Sequence, residues 1–360
     1  MILDAKNDRM EWLKIILSMP EEYQDIYFHP DYVALNCFKQ NSDGYLFYNE
    51  DYGKIWINPF IKIKVPELIK ENKNIYFDLE TPYGYGGPIS NTTDQEFIIE
   101  SNQKFINWVK ENNIIAEFVR LHPLYNSTNF TDSKIQILEN RVTCSLNLNL
   151  LTNDLSPFKS KVKNMLRSAS KNTYAVISKD KKDFNEFKKI YINLMIEKDA
   201  EKENFFSKSY FDNLFTLIKN NGFMSVIRSK NSEILAIGVF LNGKNSCHYH
   251  LSASKNHKLP GVNNYLIYNA ALYAKKKNLQ ILHLGGGNQN IQNDNLFKFK
   301  NTMSTNNHKY YIGKRINNIK IYNELKNAWK KKYQILSKKY SNRLLCYHVN
   351  TEIIDTNLYY

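Results

Sequence analysis

One succession of elements comes twice in this chain and limits it to few folds. Strand, loop, amphipathic helix and strand follow one another at the centre of each half, among further strands rather than in a regular strand–helix alternation. In the first half, residues 31–38, 44–50, 54–63 and 75–80 are short, rich in β-branched and aromatic side chains and separated by turn signals, so each reads as a strand. A glycine- and proline-rich loop follows, then a helix from about Asp94. Thr93 and Glu96 stand there at capping-box spacing, and Ile98, Phe105, Trp108 and Val109 make one apolar stripe. It stops at Asn112-Asn113, ahead of strands at 114–123 and 141–150. The second half opens with a helix for which Ser156 suits the N-cap and Pro157 the first position, with Phe158, Val162, Met165 and Leu166 inward. Helices at about 182–199 and 208–221 come next, then strands at 223–229, 233–241 and 246–253, a loop, a helix at 262–278, a strand at 279–287 and a Lys-rich helix at about 321–340. The pattern predicts an α+β fold of two similar domains, 1–150 and 151–345, each a mainly antiparallel mixed sheet flanked by helices, with 346–360 as a tail.

Composition narrows the class. With 42% hydrophobic and 14% aromatic residues the chain can bury real cores, which excludes a disordered protein. The longest apolar run, about 234–241, is far too short to span a bilayer, and the acids Asp4, Asp8, Glu11 and Glu21 at the N-terminus fit no signal peptide. A cytoplasmic protein is expected. Lys and Arg number 49 against 35 Asp and Glu, a formal charge of +14, yet only seven of the basic residues are arginine. Such a Lys excess solvates helix surfaces and also favours anionic partners: a nucleotide-sugar, a coenzyme, tRNA or an acidic inner membrane face. Cys37, Cys144, Cys247 and Cys346 show no paired spacing, so reduced thiols are expected, with neither a disulfide framework nor a zinc site.

Three constellations could carry chemistry. Asp78 and Glu80 lie two residues apart on a strand, hence on one face, and the strand runs into Tyr83-Gly84-Tyr85-Gly86-Gly87, where glycines allow close backbone approach and tyrosines offer flat faces to a sugar or peptide. Gly285-Gly286-Gly287 ends a later strand, and beyond it Asp294 suits the cap of a short helix bearing Lys298 and Lys300. Neither matches a phosphate loop or a dinucleotide turn. The junction from Lys258 to Gly261, Val262 and Asn263 opens a helix after a strand, a ready seat for an anion, and the loop loosely resembles the pyrophosphate loop of coenzyme A acyltransferases. His248 and His250 flank Tyr249 on a strand; without further ligands in order, hydrogen-bonded core histidines are expected there.

Together, DLETPYGYGGP, the basic helix KVKNMLRSA, the strand HYHLSA and LHLGGGN followed by DNLFKFKNTMS resemble the FemA/FemB-type branch of the GNAT acyltransferase superfamily, over roughly residues 30–305. That resemblance implies two tandem GNAT-like domains and an acyltransferase acting in cell-envelope, polysaccharide or peptidoglycan biosynthesis. Its Phe-Lys pair falls at Phe299 and Lys300, which would line the transfer centre with Lys300 on the oxyanion. Its basic-helix arginine falls at Arg167, a phosphate contact, and the tyrosine-glycine loop would form part of the acceptor pocket. Tyr249 and Asp294 would complete the substrate contacts, and Asp78 or Glu80 would be the base. The donor would be an acyl-CoA or an aminoacyl-tRNA, and the acceptor an amine of a glycan or nucleotide-sugar precursor, with no metal required. Departures are Asn301-Thr302-Met303 where a bulky aromatic often follows the pair, and the absence of the coiled-coil arm of some aminoacyl-tRNA users. A non-catalytic, glycan-binding GNAT-like pair is the alternative outside enzymology.

Overall fold

In the computed structural model, which describes residues 1–37, 41–69, 74–152, 154–200, 204–255, 259–287 and 294–349, the chain divides into two compact units. The first gathers Met1–Tyr23, Tyr27–Asn140 and Tyr310–Ile353; the second gathers Gln24–Ile26 and Arg141–Lys309. Residues 310–345 were expected with the second half. They pack instead with the first, because the strand and helices they form complete its sheet and core.

The first unit is built on strands β1 (Ile2–Asp4), β2 (Ser42–Asp51), β3 (Lys54–Lys64), β4 (Phe77–Glu80), β5 (Ile89–Ser90) and β6 (Ile114–Arg120). Its order is β1-β2-β3-β4-β6 and then the C-terminal part of the last strand of the chain, β13 (Asn306–Ile316), with β5 on β3. All pairs are antiparallel except β4–β6. Helices α1 (Arg9–Ser18), α2 (Pro30–Leu35) and α3 (Gln95–Glu111) supply Trp12, Val33, Phe97, Phe105 and Val109 to one core, with Trp56 and Phe60 from β3. A second core takes Ile115 and Ala116 of β6 with Ile321, Tyr322, Leu325 and Trp329 of α9 (Ile319–Lys332). The short α10 (Gln334–Tyr340) follows α9 after a break at Tyr333, where one continuous helix was expected.

Local sequence explains both the agreements and the differences. Asp94, not Thr93, caps α3: its carboxylate accepts the N–H groups of Glu96 and Phe97. Residues 31–38 read as a strand from their side chains, yet Pro30 at the first helical position and the His29 ring accepting from the Asp31 N–H start α2 instead. The expected tail at 346–360 begins with a packed segment. Cys346 and Tyr347 are buried, and residues 350–360 lie outside the described ones.

The second unit has β7 (Gln136–Asn147, from Arg141 on), β8 (Thr173–Ser178), β9 (Gly222–Ser229), β10 (Ile234–Asn242), β11 (Ser246–Ser254) and β12 (Ile281–Gly285), in the order β7-β12-β11-β10-β9-β8. Only β11 and β12 run parallel. Helices α4 (Ser160–Asn172) and α7 (Val262–Lys276) pack together and share a core with Cys144, Leu146, Phe240, Cys247, Leu282 and Leu284. Helices α5 (Lys181–Glu197) and α6 (Lys208–Asn221) contact β11 and β9–β10 respectively, and α8 (Asn295–Thr302) follows β12. Helix α4 starts later than expected. Ser156 and Pro157, joined by a cis peptide bond, lie in the turn ahead of it, and the N-cap is Lys159. All four cysteines are free thiols.

Candidate active site

The parallel pair in the second unit is short. Register holds for three residues, Ser246 with Ile281, Cys247 with Leu282 and His248 with His283, and then stops. Two irregularities sit at that point. On β11, Val239 faces Leu251 and Phe240 faces Tyr249, so His250 is an extra residue in the register with β10. On β12, His283 faces Ser145 and Gly285 faces Cys144, so Leu284 is extra and the strand leans toward β7. Beyond His248 the two parallel strands therefore separate, leaving a wedge bounded by Tyr249 on one side and Gly285-Gly286-Gly287 on the other.

Cations hold the glycine side of this wedge by its carbonyls. The Lys300 ammonium, from the last turn of α8, donates to the Gly286 carbonyl at 2.9 Å and stands 5.7 Å from the centre of the Tyr249 ring. Arg141 of β7 donates from Nη1 to the Gly287 carbonyl at 2.8 Å, and the Cys144 thiol donates to the Gly285 carbonyl at 3.6 Å. Gly285 is left-handed, at φ +77°. At Gly287 a Cβ would fall 2.4 Å from the Asp294 carboxyl, so only glycine lets that carboxylate approach. Asp294 caps α8 through the Phe297 N–H at 2.8 Å, the expected role, and so fixes where Lys300 emerges two turns later. Phe299 and Phe297 pack against the core beside it.

Burial sets the electrostatics. It lowers the Lys300 pKa to about 8, with Arg141 acting in the same direction while Cys144 and Asp294 oppose. Burial also pushes the Cys144 thiol up to about 11 and the Tyr249 phenol up to about 12, so both stay protonated at neutral pH. Such an arrangement offers a partly desolvated ammonium, suited to negative charge that develops on an oxygen, and no activated thiolate.

On the opposite face of this sheet lies a hydrogen-bonded polar set. His248 Nε2 meets the Asp25 carboxylate at 2.7 Å, His283 meets Thr143 at 3.1 Å and His248 at 3.4 Å, and His250 meets the Tyr210 hydroxyl at 2.8 Å. These are the hydrogen-bonded core histidines expected from the sequence. Asp25 was missed, because it lies over 200 residues from its partner.

The remaining candidates fall elsewhere. Gly261 caps α7 at φ +78°, and a Cβ there would sit 2.3 Å from the Met165 carbonyl of α4, so the glycine is required by helix packing. Val262 is buried in the core, while Asn263 is exposed; among the described residues no hydrogen bond is made by the N–H groups of residues 262–264, which leaves this turn able to receive an anion. Lys258 and residues 288–293 lie outside the described residues. Arg167 is exposed on α4 with only a long contact to Asn164.

In the first unit, Asp78 is not placed to act as a base. It is fully buried and accepts from the Ala116 N–H at 2.9 Å, the Tyr347 hydroxyl at 3.0 Å and His348 Nε2 at 2.7 Å. The β4–β6 register skips a residue there, and the carboxylate takes up the N–H thereby left over. Glu80 stands 3.8 Å from the Arg120 guanidinium. The loop that follows is pinned to β6. Gly86 exchanges hydrogen bonds with the Arg120 carbonyl and the His122 N–H, Gly84 (φ +92°) lies under the Tyr27 ring, and Gly87 (φ +83°) lies under Leu121. Tyr85 is packed edge-on among Tyr27, His122 and Tyr310, whereas Tyr83 is 47% exposed.

No protein-family profile and no curated protein sequence matches this chain. Solved structures do. FemX superposes with a TM-score of 0.66 at 12% identity, over 90% of this chain and 99% of its own. L-PGS from Bacillus licheniformis gives 0.56 at 11% identity, over 79% and 86%. A C-terminal domain assigned to a lysylphosphatidylglycerol synthetase from Agrobacterium fabrum gives 0.53 at 10%, over 85% and 92%. At such identities the likeness is one of fold, shared with these proteins over most of both chains.

Proposed function

We propose that this protein transfers an acyl or aminoacyl group to an amine of a cell-envelope glycan or peptidoglycan precursor. The observation that carries the reading is Lys300, a half-buried lysine whose ammonium is fastened to the Gly286 carbonyl beside a wedge between two parting parallel strands. FemX and L-PGS share the fold, and Phe299-Lys300 stands where the motif resemblance puts a transfer centre. In the reaction the acceptor nitrogen forms a bond to the acyl carbon while the carbonyl π pair moves onto oxygen. Lys300 stabilises that oxyanion. Collapse of the intermediate expels the donor's thiolate or ribose oxygen, which takes up the proton lost by the nitrogen through water or a substrate phosphate. With Asp78 committed to the first unit's own hydrogen bonds, no protein carboxylate is needed, because positioning supplies most of such a rate.

The donor is anionic, an acyl-CoA or an aminoacyl-tRNA. Its phosphates are assigned to the first turn of α7 at Gly261, Val262 and Asn263 and to Arg167 on the neighbouring α4. Both donors are cytoplasmic molecules. Purified protein incubated with acetyl-CoA or charged tRNA and amino-sugar precursors, read by mass spectrometry, should show transfer. Lys300→Ala should lose at least about 100-fold of it with the fold intact by circular dichroism. Full activity in that variant would overturn the proposal and leave a glycan-binding module as the better reading. A tRNA donor is marked by steep loss of rate with added salt, a thioester donor by a shallow one.

A further inference from the structure

Half of the chain's formal charge sits in less than a tenth of its length. Residues 319–349 carry Lys320, Lys326, Lys330, Lys331, Lys332, Lys338, Lys339 and Arg343 against a single acid, Glu324. Helix α9 turns Ile321, Tyr322, Leu325 and Trp329 into the first unit's second core, and Leu336 and Tyr340 of α10 pack against the same core. That packing decides which side chains are left outside. Lys330, Lys331, Lys332, Lys338 and Lys339 are exposed, and Lys330, Lys331, Lys332 and Lys338 enter no ion pair among the described residues. Ile335 is 85% exposed and shares its helix face with Lys338 and Lys339, three and four residues on. Tyr333 and Tyr340 lie beneath the flanking cations, with Lys332 at 5.2 Å, Lys339 at 4.9 Å and Arg343 at 4.4 Å from the ring centres.

We infer that the α9–α10 elbow docks on an anionic lipid bilayer. A bare isoleucine among lysines gains little from a nucleic-acid backbone, but at a lipid surface both parts are useful: the ammonium groups meet the headgroups and the alkyl side chain enters the acyl boundary. The basic set is also seven lysines to one arginine, and lysine serves a diffuse negative surface as well as arginine does, whereas phosphate forks and base edges favour arginine. Tyrosines under the outer cations suit the interfacial depth, where amphipathic rings collect. The inference is independent of the transfer reaction proposed above. No helix among the described residues is long and apolar enough to cross a membrane.

Co-sedimentation of the full chain with vesicles tests it. Vesicles of phosphatidylcholine with about 30% phosphatidylglycerol should bind the protein at about 0.1 M salt, and phosphatidylcholine alone should not. Replacing Lys330, Lys331, Lys332, Lys338 and Lys339 together by Gln should weaken that partition at least about 100-fold, at roughly fivefold per lysine, with discounting for those that stand back from the surface. Ile335→Ser should weaken it about fivefold while keeping the salt dependence. As all six side chains are exposed, the variants should keep the parent's circular dichroism and melting temperature. An Ile335→Trp reporter should shift its emission to the blue with anionic vesicles. The inference falls if phosphatidylcholine binds equally well, if the five-Gln variant sediments like the parent, or if that variant loses affinity for tRNA while its vesicle binding is unchanged.

Discussion

In the loop after β4, glycine makes room for neighbouring side chains; at the end of β12, it makes room for charge. Gly84 lies beneath the Tyr27 ring and Gly87 beneath Leu121, both at positive φ, and the carboxylate that leads into that loop is consumed by three donors of its own unit. Gly285, Gly286 and Gly287 instead present successive carbonyls to a thiol, an ammonium and a guanidinium, with a carboxylate pressed against the last of them. Two segments of similar composition thus carry different burdens. Glycine content after a strand signals close approach, and only the approaching groups tell packing from chemistry.

The contrast can be broken experimentally. Gly84→Ala forces an alanine into a left-handed backbone and sets its Cβ 2.5 Å from Tyr27, so unfolding free energy should fall by roughly 2–4 kcal/mol in urea titrations, with activity per folded molecule retained. Equal tolerance of alanine at Gly84 and Gly286, where the Cβ would meet Arg141 Cδ and the Val142 carbonyl oxygen no closer than 3.1 Å at an ordinary φ, would erase the distinction. Asp78→Asn leaves one of three donors poorly matched and should cost about 1–3 kcal/mol of stability with transfer unaffected; a selective loss of rate would restore Asp78 to the reaction. Transfer should also decline as pH rises through about 8, where Lys300 gives up its proton, by up to tenfold per unit. A rise in rate over that window would make Lys300 a base instead. The same shift affects stability. Between about 8 and its ordinary 10.5, the unfolded chain holds a proton that the folded chain does not, so the penalty of burying this cation is full below 8 and fades above it. Lys300→Met should therefore raise stability at pH 7, by roughly 1–3 kcal/mol once solvent screening of the half-buried ammonium is allowed for, and by nothing near pH 11.

The sequence disclosed what depends on neighbours along the chain. Runs of β-branched and aromatic residues between turn signals located β2, β3, β9, β10 and β11, and α3, α5, α6 and α7 were read as helices within a residue or two of their bounds. Where a terminus signal competed with side-chain character, as at Pro30 against the strand-like 31–38, the signal prevailed. What stayed hidden is what long-range partners decide. Asp78 resembled a base until Tyr347 and His348, some 270 residues away, were seen to hold it. Arg141 and Cys144 gave no motif of their own; they join the site only because β7 pairs with β12. Phe299, Lys300 and the triple glycine were visible through motif resemblance, whereas the parting of β11 from β12 depends on register that no local pattern shows.

One feature of the division into units bears on how the molecule is made. The first unit closes with β13 pairing along β6 and with Tyr347 reaching Asp78, yet both of those late segments are translated only after the whole stretch from Arg141 to Lys309. A nascent chain can finish the inserted unit on the ribosome while the surrounding one still waits for its final strand and backing helix, with Ile115 and Ala116 uncovered in the interval. The outermost part of the sequence order is thus the last to become protected from aggregation and proteolysis, and a premature stop between residue 309 and the strand and helix that follow would spare the Lys300 unit and forfeit its host.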